Sequence, residues 1–104
     1  MIVDQQKMDA FIKALQEKND ARMAASYPNL TPPKYEANWM KRYIRIETVE
    51  AHGGRSAFCF IDPSNGDILK SASWKAPAKH ARGNIHTPTH GVEHLGPYGA
   101  QYLR

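Results

Sequence analysis

The chain has 104 residues, of which 41% are hydrophobic and 23% charged, and its formal net charge is +4. These values are typical of a globular protein, and we expect residues 1–104 to form one domain. A single cysteine excludes an intramolecular disulfide and a four-cysteine zinc module, the apolar runs are too short to span a bilayer, and the start lacks a signal-peptide pattern.

The positive charge is concentrated in the last third of the chain. Residues 1–67 contain nine basic and nine acidic residues, whereas residues 68–104 contain five Lys or Arg and one acidic residue, Glu93. A cationic patch attracts anionic partners, and the alternative is a basic surface that aids solubility.

An amphipathic helix is predicted near the N-terminus, with Asp4 as its N-cap and Val3 and Met8 at the positions of a hydrophobic staple. Lys18 and Asn19 interrupt its apolar face, which predicts a kink or a weak turn there. Pro28 cannot continue the helix. The apolar face consists of Met8, Phe11, Ile12 and Leu15.

An antiparallel meander is predicted after an irregular connection, Tyr27–Asn38. Its three strand-like runs are Lys41–Glu50, Arg55–Asp62 and Asp67–Trp74, separated by turns at His52-Gly53-Gly54 and at Gly66. In the first run, Arg45 and Glu47 lie on the face opposite the isoleucines, and Glu47 reads as an ordinary surface residue. We therefore predict an α+β fold, with the helix packed on a sheet of three or slightly more strands.

Periodicity disappears beyond Trp74, apart from helical turns that could form at Ala76–Ala81 and Tyr98–Leu103. Pro77, Gly83, Pro88 and Gly91 oppose regular structure between them. We predict a long Gly/Pro-rich basic loop, and irregular segments of this length usually have a function or are disordered.

The predicted loop combines an indole with cations. Trp74 can offer its face to a base, Arg82 can hold a phosphate through two hydrogen bonds, and Asn84 can recognise a base edge or a ribose hydroxyl. The structural alternatives are a core position for Trp74 and a bond from Arg82 to Asp62, Asp67 or backbone carbonyls. The leading hypothesis is a non-enzymatic protein that binds a nucleotide or nucleic acid and needs no cofactor. Its predicted ligand contacts are Lys70, Trp74, Lys75, Lys79, His80, Arg82 and Asn84.

Two alternatives stay open. The first is a protein–protein interaction function, with aromatic anchors at Tyr35, Trp39, Trp74, Tyr98 and Tyr102. The second is a metal site at His86, His90 and His94, completed by His80 or Cys59. Pro88 and Gly91 oppose the helix that would align these histidines. The sequence offers no identifiable catalytic group, because Cys59 lies in an apolar strand that leaves a thiol inert.

Two segments of the second half carry a resemblance. The segments GDILKSASWKAPAKHARGNI and GPYGAQYLR resemble small proteins encoded by tailed bacteriophages, and the WKAPAK and RGNI words are the most distinctive. The resemblance implies no particular activity. It implies a phage product in the cytoplasm of a bacterial host, where such proteins bind nucleic acid, sequester a nucleotide or inhibit a host protein. In that setting the protein–protein alternative is an inhibitor of a host enzyme or a virion component.

Overall fold

A computed structural model of the chain describes residues 2–92, 95–96 and 99–100. One helix precedes five antiparallel strands, which form a sheet in the order β1-β2-β3-β4-β5, and a separate two-stranded hairpin follows. The predicted α+β class is confirmed. The elements are α1 (Gln5–Ser26), β1 (Lys34–Trp39), β2 (Ile44–Val49), β3 (Arg55–Ile61), β4 (Asp67–Ser71), β5 (Pro77–Asn84), β6 (Leu95–Gly96) and β7 (Gly99–Ala100).

Helix α1 begins as predicted and continues through Asn19. The carboxylate of Asp4 accepts a hydrogen bond from the backbone N–H of Lys7 at 2.7 Å, which satisfies a helix donor that has no intrahelical partner. At Asn19, where the sequence predicts a kink or a weak turn, the helix is continuous; Asn19 is buried, and its side-chain oxygen accepts a hydrogen bond from Arg22. In the described residues, no helix is long and apolar enough to cross a membrane.

Strand β1 occupies part of the segment that was predicted to be irregular. Gln16 of α1 makes two hydrogen bonds to the backbone at the start of β1. Its amide nitrogen donates to the Pro33 carbonyl at 2.9 Å, and its side-chain oxygen accepts from the Tyr35 N–H at 3.0 Å. The Tyr35 ring packs edge-on against Phe58, with 4.9 Å between the ring centroids. A contact with a distant helix therefore fixes a strand whose own sequence has little strand character.

Strand β5 replaces most of the predicted basic loop, and the helical turn predicted at Ala76–Ala81 is wrong. Pro77 is the first residue of the strand, where a missing N–H is tolerated. Two register shifts interrupt the pairing of β4 with β5 and accommodate the other residues of the segment. At one of them, the pairs Ile68–Gly83 and Leu69–Ala81 leave Arg82 as one extra residue on β5. Only residues 72–76 remain as a loop between β4 and β5. The turn predicted at Tyr98–Leu103 falls largely outside the described residues.

The core lies between α1 and one face of the sheet. Ile46 pairs with Cys59 and Glu47 pairs with Ala57, which leaves Phe58 as the extra residue of a β-bulge in β3. As a result, the neighbouring residues Phe58 and Cys59 both belong to the core. Burial raises the pKa of the Cys59 thiol, which keeps it protonated at neutral pH. The segment after β5 closes the core: the Lys18 ammonium on α1 donates to the carbonyls of Val92 at 2.6 Å and Leu95 at 3.0 Å.

We expect Gly91→Ala to destabilise the fold more than Gly53→Ala. Both glycines have positive φ, +74° and +96°. A Cβ on Gly91 would lie 2.5 Å from Ile68 Cδ1 and 2.7 Å from the Asn84 carbonyl oxygen, whereas a Cβ on Gly53 would meet nothing within 4 Å. Overpacking should add about 1–3 kcal/mol to the backbone strain that both variants share. Urea unfolding measures the difference, and equal losses of free energy would contradict the steric account.

Candidate functional site

The sheet face opposite α1 carries a row of polar and aromatic side chains. The strand register aligns Asn38, Arg45, Phe60 and Leu69 across four strands. Their neighbours Ile46 and Cys59 belong to the core beside α1, so the row lies on the other side. We call this side the outer face and define it by Asn38, Tyr43, Arg45, Glu47, Phe60, Leu69 and Trp74.

Glu47 is the anchor of the outer face. It is 4% exposed, so the expectation of an ordinary surface residue is wrong. Its carboxylate accepts from Asn38 Nδ2 at 3.1 Å, from Arg45 Nε at 3.0 Å and from Arg55 Nη1 at 2.9 Å. Burial by itself raises the pKa of Glu47, but these hydrogen bonds outweigh it and hold the pKa below its ordinary value. The carboxylate is therefore ionised at neutral pH.

Arg45 connects Glu47 to Trp74. Its guanidinium carbon lies 3.8 Å from the centroid of the indole ring, and its Nη1 donates to the Trp74 carbonyl at 3.1 Å. Arg45 is 8% exposed, whereas Trp74 is 41% exposed. One face of the indole is thus covered by a cation, and a large part of the residue is open to solvent.

The loop that carries Trp74 is closed by its own hydrogen bonds. The backbone N–H groups of Ala72 and Ser73 both donate to the Ala76 carbonyl at 3.1 Å. The Ser73 hydroxyl accepts from the N–H groups of Lys75 at 3.3 Å and Ala76 at 3.2 Å. These bonds close the backbone of the loop, and Arg45 contacts Trp74 at both its carbonyl and one face of its ring.

Further cation and ring contacts occur towards the start of β2. Tyr43 packs edge-on against Phe60, with 6.4 Å between the ring centroids, and the Arg42 guanidinium lies 5.3 Å from the Tyr43 centroid. Phe60 is paired with Arg45 across the strands. Phe60 is fully buried, so among these side chains only Arg42 is exposed to solvent and Tyr43 is partly exposed.

The predicted contact residues are distributed over two strands and a short loop. Lys70 lies in β4, Trp74 and Lys75 lie in the loop, and β5 contains Lys79, His80, Arg82 and Asn84. Lys75 and Lys79 are exposed. Arg82 and Lys70 are half-buried, and each takes part in an interaction within the protein. The side chain of His80 lies outside the described part of the structure.

Asn84 has a clear structural role at the end of β5. Its amide nitrogen donates to the Asn65 carbonyl at 2.9 Å and to the Asp67 carboxylate at 3.0 Å, and its oxygen accepts from the His86 N–H at 2.8 Å. These bonds join β5 to the turn before β4. The recognition of a ligand by Asn84 stays a prediction, and we leave Asn84 out of the proposed binding surface.

The histidines do not form a recognisable metal site in the described part of the chain. His86 and His90 are half-buried in the turns after β5, and His94 lies outside the described residues. No group of three or more His, Cys, Asp or Glu side chains that could hold a metal occurs among residues 2–92, 95–96 and 99–100. The metal hypothesis therefore stays a prediction.

We expect Glu47→Gln to lower the free energy of unfolding by about 2–4 kcal/mol at pH 7, because it leaves Arg45 buried without a counter-charge. The folded-state pKa of Glu47 lies below its ordinary value, so its contribution is complete above that value, near 4.5, and is lost as the pH falls through the folded pKa. Urea unfolding of both proteins should give a difference that is constant above about pH 5 and shrinks below about pH 4.

The control is Glu17→Gln, which changes an exposed carboxylate on α1 and should cost under about 0.5 kcal/mol. A Glu47→Gln effect as small as this, or one independent of pH, would contradict the role of the Glu47 charge.

Comparison with known proteins identifies one family. The sequence profile of DUF7717, a family of unknown function, matches residues 2–99. No curated protein and no solved structure matches the chain. The match covers α1, the whole five-stranded sheet and the segment that closes the core, and the chain therefore belongs to DUF7717.

Proposed function

We propose that the protein is a non-enzymatic binding protein whose outer face holds a ligand that contains both a base and phosphate, either single-stranded nucleic acid or a nucleotide. The observation that supports this most is the Arg45–Trp74 pair. A half-exposed indole fixed over a cation can stack a base without first being ordered, and each stacked base contributes about 1–3 kcal/mol.

Cations around Trp74 support the phosphate part of the proposal. Lys75 is next to Trp74 in the chain and exposed, and Lys79 is exposed on the adjoining strand β5. At the other end of the outer face, Arg42 is exposed beside Tyr43. The carboxylate of Glu47 does not oppose an anion, because Arg45 and Arg55 both bond to it. The proposed surface therefore combines one exposed indole with exposed cations on the loop, on β5 and just before β2.

A protein partner is the second candidate, and it is favoured by a different surface. Trp39 and Met40 are exposed neighbours at the end of β1, and exposed apolar residues of this kind are frequent in interfaces. Tyr35, by contrast, is buried against Phe58 and serves the core. Tyr98 and Tyr102 lie outside the described residues. This candidate therefore retains Trp39 and Trp74 as its anchors.

The resemblance of the WKAPAK and RGNI segments to tailed-bacteriophage proteins supplies the proposed setting. We propose that the protein acts in the cytoplasm of a bacterium infected by the phage that encodes it, during host takeover or against host defence.

We expect Trp74→Ala to weaken binding of a fluorescent dT oligonucleotide by roughly ten- to a hundredfold at low salt, the loss that corresponds to one stacked base. Trp39→Ala is the matched control, because Trp39 is 43% exposed and Trp74 is 41% exposed, but only Trp74 lies on the outer face. Fluorescence anisotropy measures the affinities, and circular dichroism verifies that each variant is folded. Equal effects of the two substitutions would contradict the role of the outer face.

The salt dependence separates the two ligands. A strand that contacts several phosphates gives a steep fall of affinity with salt, and Lys75→Ala should reduce the slope of log K against log salt by about 0.7, the value for one single-strand phosphate contact. A nucleotide gives a shallow slope. If neither oligonucleotides nor nucleoside triphosphates bind at 20 °C and about 50 mM salt, the proposal is wrong.

A further inference from the structure

Strand β1 forms one border of the sheet, and the second half of this border is open. The backbone N–H of Tyr35 bonds Gln16 and therefore points away from β2. In an antiparallel pair the N–H and C=O groups of every second residue point to the same side, so Ala37 and Trp39 present theirs to this border as well. Among the described residues, no hydrogen bond reaches the backbone groups of Ala37 or Trp39. These two residues can accept one further strand.

A groove of about 570 Å³ lies between α1 and this border. Ile12 and Ala37 line it, and both are partly buried apolar residues that pack against the core. Its charged lining residues are Asp9, Lys13, Glu17 and Glu36, so carboxylates predominate. A strand added to β1 would place the side chains of one of its faces in this groove.

The Trp39 side chain lies on the same side of the sheet as the groove. Trp39 pairs with Ile44, which belongs to the core beside α1, and residues directly opposite in antiparallel strands share a face. Trp39 is nevertheless 43% exposed. One face of a single strand therefore carries a large exposed ring and, two positions before it, the small side chain of Ala37 beside a groove.

We propose that two copies of the chain associate through β1, as an antiparallel strand pair centred on Asn38. In this register Ala37 of each copy exchanges backbone hydrogen bonds with Trp39 of the other, so two-fold symmetry uses both open residues of both copies. The two sheets become one sheet, with both copies of α1 on the same side. The association involves the β1 border and not the outer face, and it is independent of the proposed ligand.

The open backbone groups determine the register. A pair centred on Ala37 would need the backbone of Tyr35, which Gln16 already bonds. A pair centred on Trp39 would need Lys41, which lies in the bend after β1. Only the pair centred on Asn38 joins the two open residues to each other.

Side chains of the two copies complement each other in this register. The indole of Trp39 from one copy lies opposite Ala37 of the other, where the small side chain leaves room for it to enter the groove over Ile12. Burial of this ring removes exposed apolar surface from water in both copies. A strand with a large residue at both positions would not fit against itself in this way.

The charges of the two copies also agree with the pairing. Glu36 lies opposite Met40 and Asn38 lies opposite its own copy, so no like charges face each other across the strands. Antiparallel pairing directs the exposed Lys41 of one copy towards the end of the other groove where Glu17 and Glu36 stand. Charge complementarity therefore favours a second copy as the occupant of the groove.

The assembly ends at two copies. The pairing covers both β1 borders, and at the opposite border of each sheet Pro77 and Lys79 in β5 discourage a further strand. The strand pair is short compared with the interfaces of about 1,200–2,000 Å² in stable complexes, so we expect a weak dimer with a Kd of about 100 µM.

Sedimentation equilibrium of the full chain between about 10 µM and about 1 mM tests the association. We expect the average mass to rise from one chain towards two. Trp39→Ala should weaken the dimer at least tenfold, whereas Trp74→Ala, the matched control with a 41% exposed ring on the outer face, should leave it unchanged. A mass of one chain at the highest concentration, or equal effects of the two substitutions, would overturn the proposal. Oligonucleotide titrations at low micromolar protein contain the monomer, so Trp39→Ala remains a valid control there.

A cysteine introduced at Asn38 tests the register. The two Asn38 residues form a pair without mutual hydrogen bonds, with Cα atoms about 4.5 Å apart, which is within disulfide range. We expect oxidised glutathione to convert the Asn38→Cys protein to a covalent dimer. Glu36→Cys is the matched control, because Glu36 is also exposed on β1 but its two copies would be roughly 14 Å apart. The native Cys59 is buried and does not compete.

Addition of Trp39→Ala to the Asn38→Cys protein should slow formation of the covalent dimer, because it weakens the association that brings the two thiols together. Circular dichroism verifies that each variant is folded. No covalent dimer from Asn38→Cys, or equal rates from Asn38→Cys and Glu36→Cys, would contradict the pairing centred on Asn38.

Discussion

The burial of the Glu47 charge is the constraint on which the outer face depends. A carboxylate withdrawn from water is unfavourable unless hydrogen-bonded cations surround it, and Asn38, Arg45 and Arg55 provide those bonds. Arg45 is in turn buried and can remain so only beside that carboxylate. Its guanidinium then supports the indole of Trp74 and binds the carbonyl of the same residue. One buried charge on β2 therefore determines the position of an exposed ring on a loop between two other strands.

The elements that the sequence predicts are those specified by neighbouring residues. The Asp4 cap, the apolar face of α1 and the strands around the Gly53 and Gly66 turns all depend on residues close together in the chain. Strand β1 depends on Gln16, which bonds Tyr35 from 19 positions away, and no local pattern contains that information. The alternation in β2 places Arg45 and Glu47 on one face, but the ring that covers Arg45 belongs to Trp74, 29 positions along the chain. Pro77 and Gly83 oppose a regular strand, and β5 forms only because register shifts accommodate them.

The position of β5 changes the interpretation of the basic segment. A proline at the start of an edge strand and lysines along it oppose pairing with a strand from another protein. Lys79 therefore has a protective role at the end of the sheet that does not require a ligand. The outer face differs, because an exposed indole stacked on an arginine does nothing to protect an edge. The Arg45–Trp74 pair thus carries more weight for function than the charge asymmetry that the sequence shows first.

The side-chain amide of Gln16 has the same donor and acceptor groups as a peptide bond, and it contacts Pro33 and Tyr35 as an additional strand would. The sheet is in effect terminated at this end by a residue of the helix. In an edge strand, the N–H and C=O groups of every second residue point away from the sheet. After Tyr35, which Gln16 bonds, the next residues of this kind in β1 are Ala37 and Trp39. The two edges of the sheet therefore differ. Lysine and proline discourage self-association at β5. At β1, the Gln16 amide imitates a polypeptide backbone along the first half of the edge, and the second half keeps outward-facing backbone groups that a strand of another molecule can pair with.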